Sequence, residues 1–200
     1  MEMRHDPTRW GQPQPQQPEP WQQAMPGWLE EKLFDQRIVV VRGQLTSEAA
    51  TGTAAALLTL DAAGPAPVQL HLASQAGELG AALSILDVID SMAAPVHAIV
   101  TSQAGGAVVA LLAAAERRAA YRHARFKLNE PRSTGVTGTA DEVARAAGQH
   151  LRELEEITLR LVEVTGQSRS RIEDDMSAGR SLTAQEALDY GLIEEILGKA

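Results

Sequence analysis

The residues able to do chemistry are few and scattered. His71 and His97 lie in strand-like stretches, His123 in a polar loop and His150 on a helical stretch. None is spaced i, i+4 from another, the spacing that turns two imidazoles toward one metal from a helix face. The sequence has no cysteine. That excludes thiolate zinc sites, iron–sulfur clusters, a disulfide framework and a cysteine nucleophile. No cofactor and no metal is therefore expected. The glycine clusters Gly77/Gly80 and Gly105/Gly106 follow strand-like stretches and open helix-like ones. Backbone amides at such a turn can cradle an oxyanion or a phosphate. Neither cluster fits GxGxxG or a phosphate loop with its Lys and Ser/Thr, and glycine equally serves close packing of helix on strand. Ser74, Ser84 and Ser102 lie near these turns, without a base that spacing identifies.

The elements that must position these groups alternate between two periods. Arg37–Val41 is a β-branched run closed by Gly43, and the alanine-rich stretch Ser47–Leu60 reads as a helix with Thr46 or Ser47 as its N-cap. Val68–Leu72 alternates as a strand, Gly80–Met92 reads as a helix, and Val96–Thr101 follows Pro95 as a third strand. Ala107–Ala115 is an apolar helix and Phe126–Leu128 a short strand. From about Ala140 to Val164, residues recur three or four apart through Val143, Ala147, His150 or Leu151, Leu154, Ile157, Leu161 and Val164, one apolar stripe on a long helix stopped by Thr165-Gly166. Ser170–Met176 and Ala184–Tyr190, the latter capped by Thr183, close the chain. Strands separated by helices predict an α/β fold, a parallel sheet covered by helices.

Composition bounds the function. Of 200 residues, 44% are apolar and 22% charged, which suits a globular domain. With 26 acidic against 18 basic residues the net charge is −8, and nucleic acid is an unsuitable partner. No apolar run reaches a membrane-spanning length and the start lacks a basic-then-apolar leader pattern, so a soluble, cytoplasmic chain is expected. Residues 1–27 differ from the rest: Pro7, Pro13, Pro15, Pro18, Pro20 and Pro26 alternate with glutamines, and Trp10 and Trp21 stand among them. The expected organisation is a disordered tail over 1–27 and one domain over 28–200.

The order of these segments resembles the proteolytic subunit of the Clp protease, ClpP. Leu33–Val41 resembles that family's first strand, and Leu72–Asp87 its INSPGGSVTAGMAIYD segment. Ser102–Ala107 with Leu111–Ala113 resembles GQAASMGAFLLAA, and Arg125–Pro131 resembles RVMIHQP. Thr165–Ser168 and Leu182–Ile193 (LTAQEALDYGLI) resemble the TGQ and LSAxEAxEYGLID signature, the most specific match. The resemblance covers residues 29–198. It implies the ClpP/crotonase spiral of strand-strand-helix units, with a long handle helix preceded by 132–138. It also implies seven-membered rings that pair around a chamber.

The departures decide the expected function. Family members hydrolyse peptides with a serine, a histidine and an aspartate acting as a unit. The resemblance puts these roles on Gly106, Asn129 and Gly179, of which none can be nucleophile, base or orienting carboxylate. The former oxyanion hole falls on Gly77 and Ala107, and Glu78 in the altered PGGSV turn would repel a developing oxyanion. The strand implied to receive a hydrophobic loop of the ATPase ring carries Gln69 and His71 in place of aromatics, so docking should be weak. Ser177 and Ala178 replace the charged residues implied in the contact between rings.

The expectation is a pseudoprotease: a structural or regulatory subunit assembling with itself or with an active ClpP paralogue, with a Clp ATPase as a weakened partner. Two alternatives remain: a crotonase-like acyl-thioester protein using Glu78 or Glu130, and a serine peptidase with a relocated site.

Overall fold

A computed structural model describes residues 25–131 and 137–198. The elements run α1 (Gly27–Asp35), β1 (Ile38–Leu45), α2 (Ser47–Ala62), β2 (Val68–Gly77), α3 (Leu79–Ser91) and β3 (Val96–Gly105). A 3-10 turn (Gly106–Val108) leads into α4 (Val109–Ala114), then β4 (Arg117–Tyr121) and β5 (Arg125–Lys127). The chain ends with α5 (Ala140–Thr165), α6 (Arg169–Ala178), β6 (Ser181–Thr183), α7 (Ala184–Tyr190) and β7 (Glu195–Leu197). The tail proposed for 1–27 and the handle segment 132–138 fall largely outside the described residues.

The main sheet has the order β1-β2-β3-β4-β7, all parallel, and β5 leaves β3 to pair antiparallel with β6. Along β2, Val68, Leu70 and Leu72 are buried while Gln69 and His71 are half-buried; β1 and β3 alternate in step. That period of two separates a core face from an open one. Val39, Val41, Leu70, Leu72, Ala98 and Val100 join the buried residues of α2, α3 and α4 in one core. Burying each leucine there contributes about 1.5–3 kcal/mol. The expected helical cover therefore applies to one face: Ile38, Val40, His71 and Ile99 are only half-buried.

Several boundaries differ from expectation. β1 does not close at Gly43 but passes through it at φ +68 and continues to Leu45. β2 and β3 likewise run on to Gly77 and Gly105. The helix expected from Ala107 begins as the 3-10 turn Gly106–Val108, entered through Gly106 at φ +54, and becomes α-helical only from Val109. Caps behave as their chemistry dictates. Thr46 accepts from the Ala49 N–H at 3.2 Å, resolving the choice between Thr46 and Ser47. Thr139 and Thr183 form capping boxes with Glu142 and Glu186, and Gly166 closes α5 in the left-handed conformation.

The α5 stripe is only half used. Ile157 and Leu161 are buried, whereas Val143 (42%) and Leu151 (65%) are exposed. The N-terminal half of this 26-residue helix projects past the core, and an Arg160–Asp90 ion pair ties its C-terminal half to α3.

Candidate functional site

The glycine turns meet where β2 and β3 end, and register shifts aim them there. Arg42 pairs with Ala73 and Gln44 with Ala76, so β2 carries one residue more than β1 over that step. Leu72 pairs with Val100 and Ser74 with Ala104, so β3 carries two more than β2. Extra residues of this kind bend a strand end and re-aim its side chains.

The glycines serve different needs. A Cβ on Gly105 would lie 2.4 Å from the Gln75 carbonyl oxygen, and one on Gly77 would lie 2.7 Å from the Leu45 Cβ. These are approaches of strand to strand, a correction to the expected packing of helix on strand. Gly106 is otherwise: its Cβ direction is open, and the nearest atom is the Asn129 Nδ2 at 3.5 Å. A side chain at 106 would thus contact Asn129 directly. As they stand, the two positions offer no hydroxyl and no imidazole. The Asn129 amide donates to the Glu130 carbonyl at 3.2 Å, while its Oδ1 is buried and accepts no hydrogen bond from the described residues. An unmet buried acceptor of this kind costs about 1–3 kcal/mol.

Gly179 is brought alongside through the backbone. The Leu128 N–H donates to the Arg180 carbonyl at 2.8 Å and the Glu130 N–H to the Met176 carbonyl at 3.3 Å, so the segment holding Asn129 brackets the turn holding Gly179. That turn is the left-handed end of α6, at φ +67, and the Lys127 Cε lies 3.8 Å from where a Gly179 Cβ would be. Asp175, the nearby carboxylate, is engaged elsewhere. It accepts from the Tyr190 hydroxyl at 2.8 Å and from Arg180 at 3.0 and 3.1 Å, with Arg171 at 3.9 Å. Burial first, then the Asp175 hydrogen bond, pushes the Tyr190 phenol well above its ordinary value.

The remaining candidates do not assemble into a second site. The Ser74 hydroxyl is buried and donates to the Ala76 carbonyl at 3.0 Å; Ser84 donates to Ala81 at 2.9 Å. Among the described residues no serine hydroxyl bonds a histidine, and no group of three or more His, Asp or Glu side chains could hold a metal ion. Ala107 is fully buried in the turn after Gly106. The Glu78 carboxylate accepts from the Ser47 hydroxyl at 2.6 Å, and Glu130 is exposed. Gln69 and His71 stand on the open sheet face and partner each other, His71 Nε2 to Gln69 Oε1 at 3.1 Å. Partial burial lowers the His71 pKa from its ordinary value. Ser177 and Ala178 are exposed at the end of α6.

Residue spacing carried no signal for the Ser47–Glu78 bond, the orphaned Asn129 oxygen or the Asp175–Tyr190 pair. Each joins residues distant in sequence or depends on a side-chain direction that only the packed turn defines.

The chain has relatives among known proteins. The chain matches the Clp protease family over residues 27–200. It is 33% identical over 173 residues to the ATP-dependent Clp protease proteolytic subunit 1 of Chlamydia abortus, covering 84% of this chain and 90% of that protein. Against subunit 1 of Corynebacterium glutamicum the identity is 31% over 170 residues, covering 82% and 81%. Against subunit 2 of Mycolicibacterium paratuberculosis it is 33% over 174 residues, covering 85% and 86%. The chain belongs to the Clp protease proteolytic-subunit family. Among the described residues no helix is long and apolar enough to cross a membrane.

Proposed function

We propose that the chain is a non-proteolytic subunit of a Clp-type assembly, a cytoplasmic structural or regulatory component that keeps the scaffold without the hydrolytic unit. The observation that carries this reading is the juxtaposition of Gly106 and Asn129. Acyl transfer by a serine requires a nucleophile facing a base. Here the facing positions hold a hydrogen atom and a carboxamide, which takes no proton near neutral pH. The third position is Gly179, and Asp175 is committed to Tyr190 and Arg180. Losing such a unit removes on the order of a million-fold in turnover, about 8 kcal/mol of transition-state stabilisation.

The subunit assembles with copies of itself or with an active ClpP paralogue in seven-membered or double rings, using the exposed stripe of α5. A Clp ATPase engages it weakly, because Gln69 and His71 would lose water on docking while partnering only one another.

Purified protein should neither hydrolyse fluorogenic peptides nor be labelled by a fluorophosphonate. Gly106→Ser should stay equally inert, because Asn129 remains unable to act as base. Hydrolysis by either form, with folding checked by circular dichroism, overturns the reading. Light scattering then distinguishes the assemblies: a closed ring of seven has a mass of about 150 kDa. A lone subunit that enters rings only on mixing with an active paralogue selects the mixed form.

A further inference from the structure

The short sheet made by the end of β3, β5 and β6 has two unlike faces. Ala104, Phe126 and Leu182 stand opposite one another in register, and all are buried. On either side of that row, Arg125 stands between Gln103 and Thr183, and Lys127 between Gly105 and Ser181. Side chains alternate between faces along a strand, so this second set shares the outer face. Arg125, Lys127 and Ser181 are exposed there.

That face is basic, in a protein whose net charge is −8. Arg117, Arg118, Arg122, Arg125 and Lys127 follow one another with no Asp or Glu before Glu130. Arg118 is paired with Glu194, while Arg122 and His123, exposed in the turn before β5, extend the patch. Among the described residues the Lys127 ammonium has neither a hydrogen bond nor an ion pair, and Arg125 hydrogen-bonds only the adjacent Ala124 carbonyl, at 3.5 Å. The Glu186 carboxylate lies within electrostatic reach of Arg125, but it is already held by the N–H and the hydroxyl of Thr183, at 2.7 and 2.8 Å. Gly105 and Gly179, beside Lys127, bring no side chain over it.

Spacing selects the occupant. Arg125 and Lys127 are two residues apart on one strand, so their stems leave it about 6.6–6.8 Å apart. An extended peptide repeats its own side chains on one face at the same interval, and carboxylates at alternate residues would meet both cations together. Contacts between ionised partners are stronger than neutral hydrogen bonds. A polynucleotide would also bring anions, but its binding rests on neutralising many phosphates at once, and the negative charge of the whole chain opposes it.

We propose that the outer face of β5, with Arg125 and Lys127 at its centre, is a docking surface for an extended acidic polypeptide segment bearing carboxylates at alternate residues. The surface adjoins the Gly105–Gly106 turn through the pairing of Lys127 with Gly105, and it serves whether or not the cleft at Gly106 is catalytic.

The test follows the fluorescence anisotropy of a labelled peptide of alternating glutamate and glycine, at low salt, against full-length protein. Saturable binding that weakens as salt rises is expected, with no binding of the counterpart that has glutamine for glutamate. Lys127→Gln and Arg125→Gln should each raise Kd about threefold and the pair about tenfold, the scale of exposed charge pairs. Arg145→Gln, at an exposed position on α5, should leave Kd unchanged. Circular dichroism confirms the fold; should Arg125→Gln not fold, Lys127→Gln, which gives up no bond among the described residues, carries the comparison alone. Absence of binding, an unchanged Kd in Lys127→Gln, or an equal loss in Arg145→Gln overturns the proposal. So does tighter binding of an oligothymidylate of the same charge, which would make the surface one for polynucleotides.

Discussion

The cleft at Gly106 and the cluster around Asp175 lie on two sides of the same α6–β6 turn, and they treat polar atoms in opposite ways. In the cluster, one carboxylate satisfies Tyr190 and Arg180, with Arg171 and Arg180 also 5.2 and 5.6 Å from the centre of the tyrosine ring. In the cleft, Asn129 leaves a buried oxygen unmet and the facing glycine offers it nothing. The cleft's backbone is nonetheless closely packed, with glycines at 77 and 105 that no other residue could replace without moving a strand. The contrast shows that shape and polar bonding are held by different residues: close strand contacts fix the form of the cleft, while one carboxylate organises the cluster.

The contrast is best broken from the cluster. Asp175→Ala strands the Tyr190 hydroxyl and Arg180, and charge-assisted bonds of this kind are worth about 1.5–3 kcal/mol each. Allowing for Arg180's exposure, a loss of about 2–3 kcal/mol is expected, or roughly 5–10 °C in Tm by calorimetry. The cleft should respond far less. Asn129→Ala gives up one bond to a backbone carbonyl and removes the orphaned oxygen, so chemical denaturation should find a change within about 0.5 kcal/mol either way. If the two substitutions cost the same, the distinction between a bonded cluster and a vacant cleft fails.

The smallest effect is one of pH, at a third polar position. Burial lowers the folded-state pKa of His71 below its ordinary value of 6.5. Between the two values the unfolded chain binds a proton that the folded chain does not, so stability falls as pH drops through 6.5 and levels off below the folded pKa. Urea midpoints measured from pH 7.5 to 5 should show this slope, and His71→Gln should flatten it; an unchanged slope assigns it elsewhere.

Legibility in the sequence followed the strength of local signals. The α5 stripe, the Thr46 and Thr183 caps and the Gly166 stop were readable because each depends on neighbours within four residues. β4 was not, since Arg117-Arg118-Ala119-Ala120-Tyr121 lacks the β-branched run that marks a strand and is held by its pairing with β3 and β7. α1 buries no residue completely, and β6 and β7 are three residues each, too short for periodicity to register. The candidate site was legible only through resemblance. Gly106 and Asn129 are distant in sequence, and it takes the pairing of β3 with β5 to put them in contact.

The uneven burial of α5 gives the molecule a built-in clock. A helical stretch of about a dozen residues without tertiary support is marginal in water. Amides near Val143 and Leu151 should therefore trade their hydrogens for deuterium rapidly in a lone subunit, while those near Ile157 and Leu161 wait for the core to open. In the proposed rings, where neighbouring subunits would cover the exposed stripe, the two halves should keep the same time, so the difference between them would read out assembly from within a single helix.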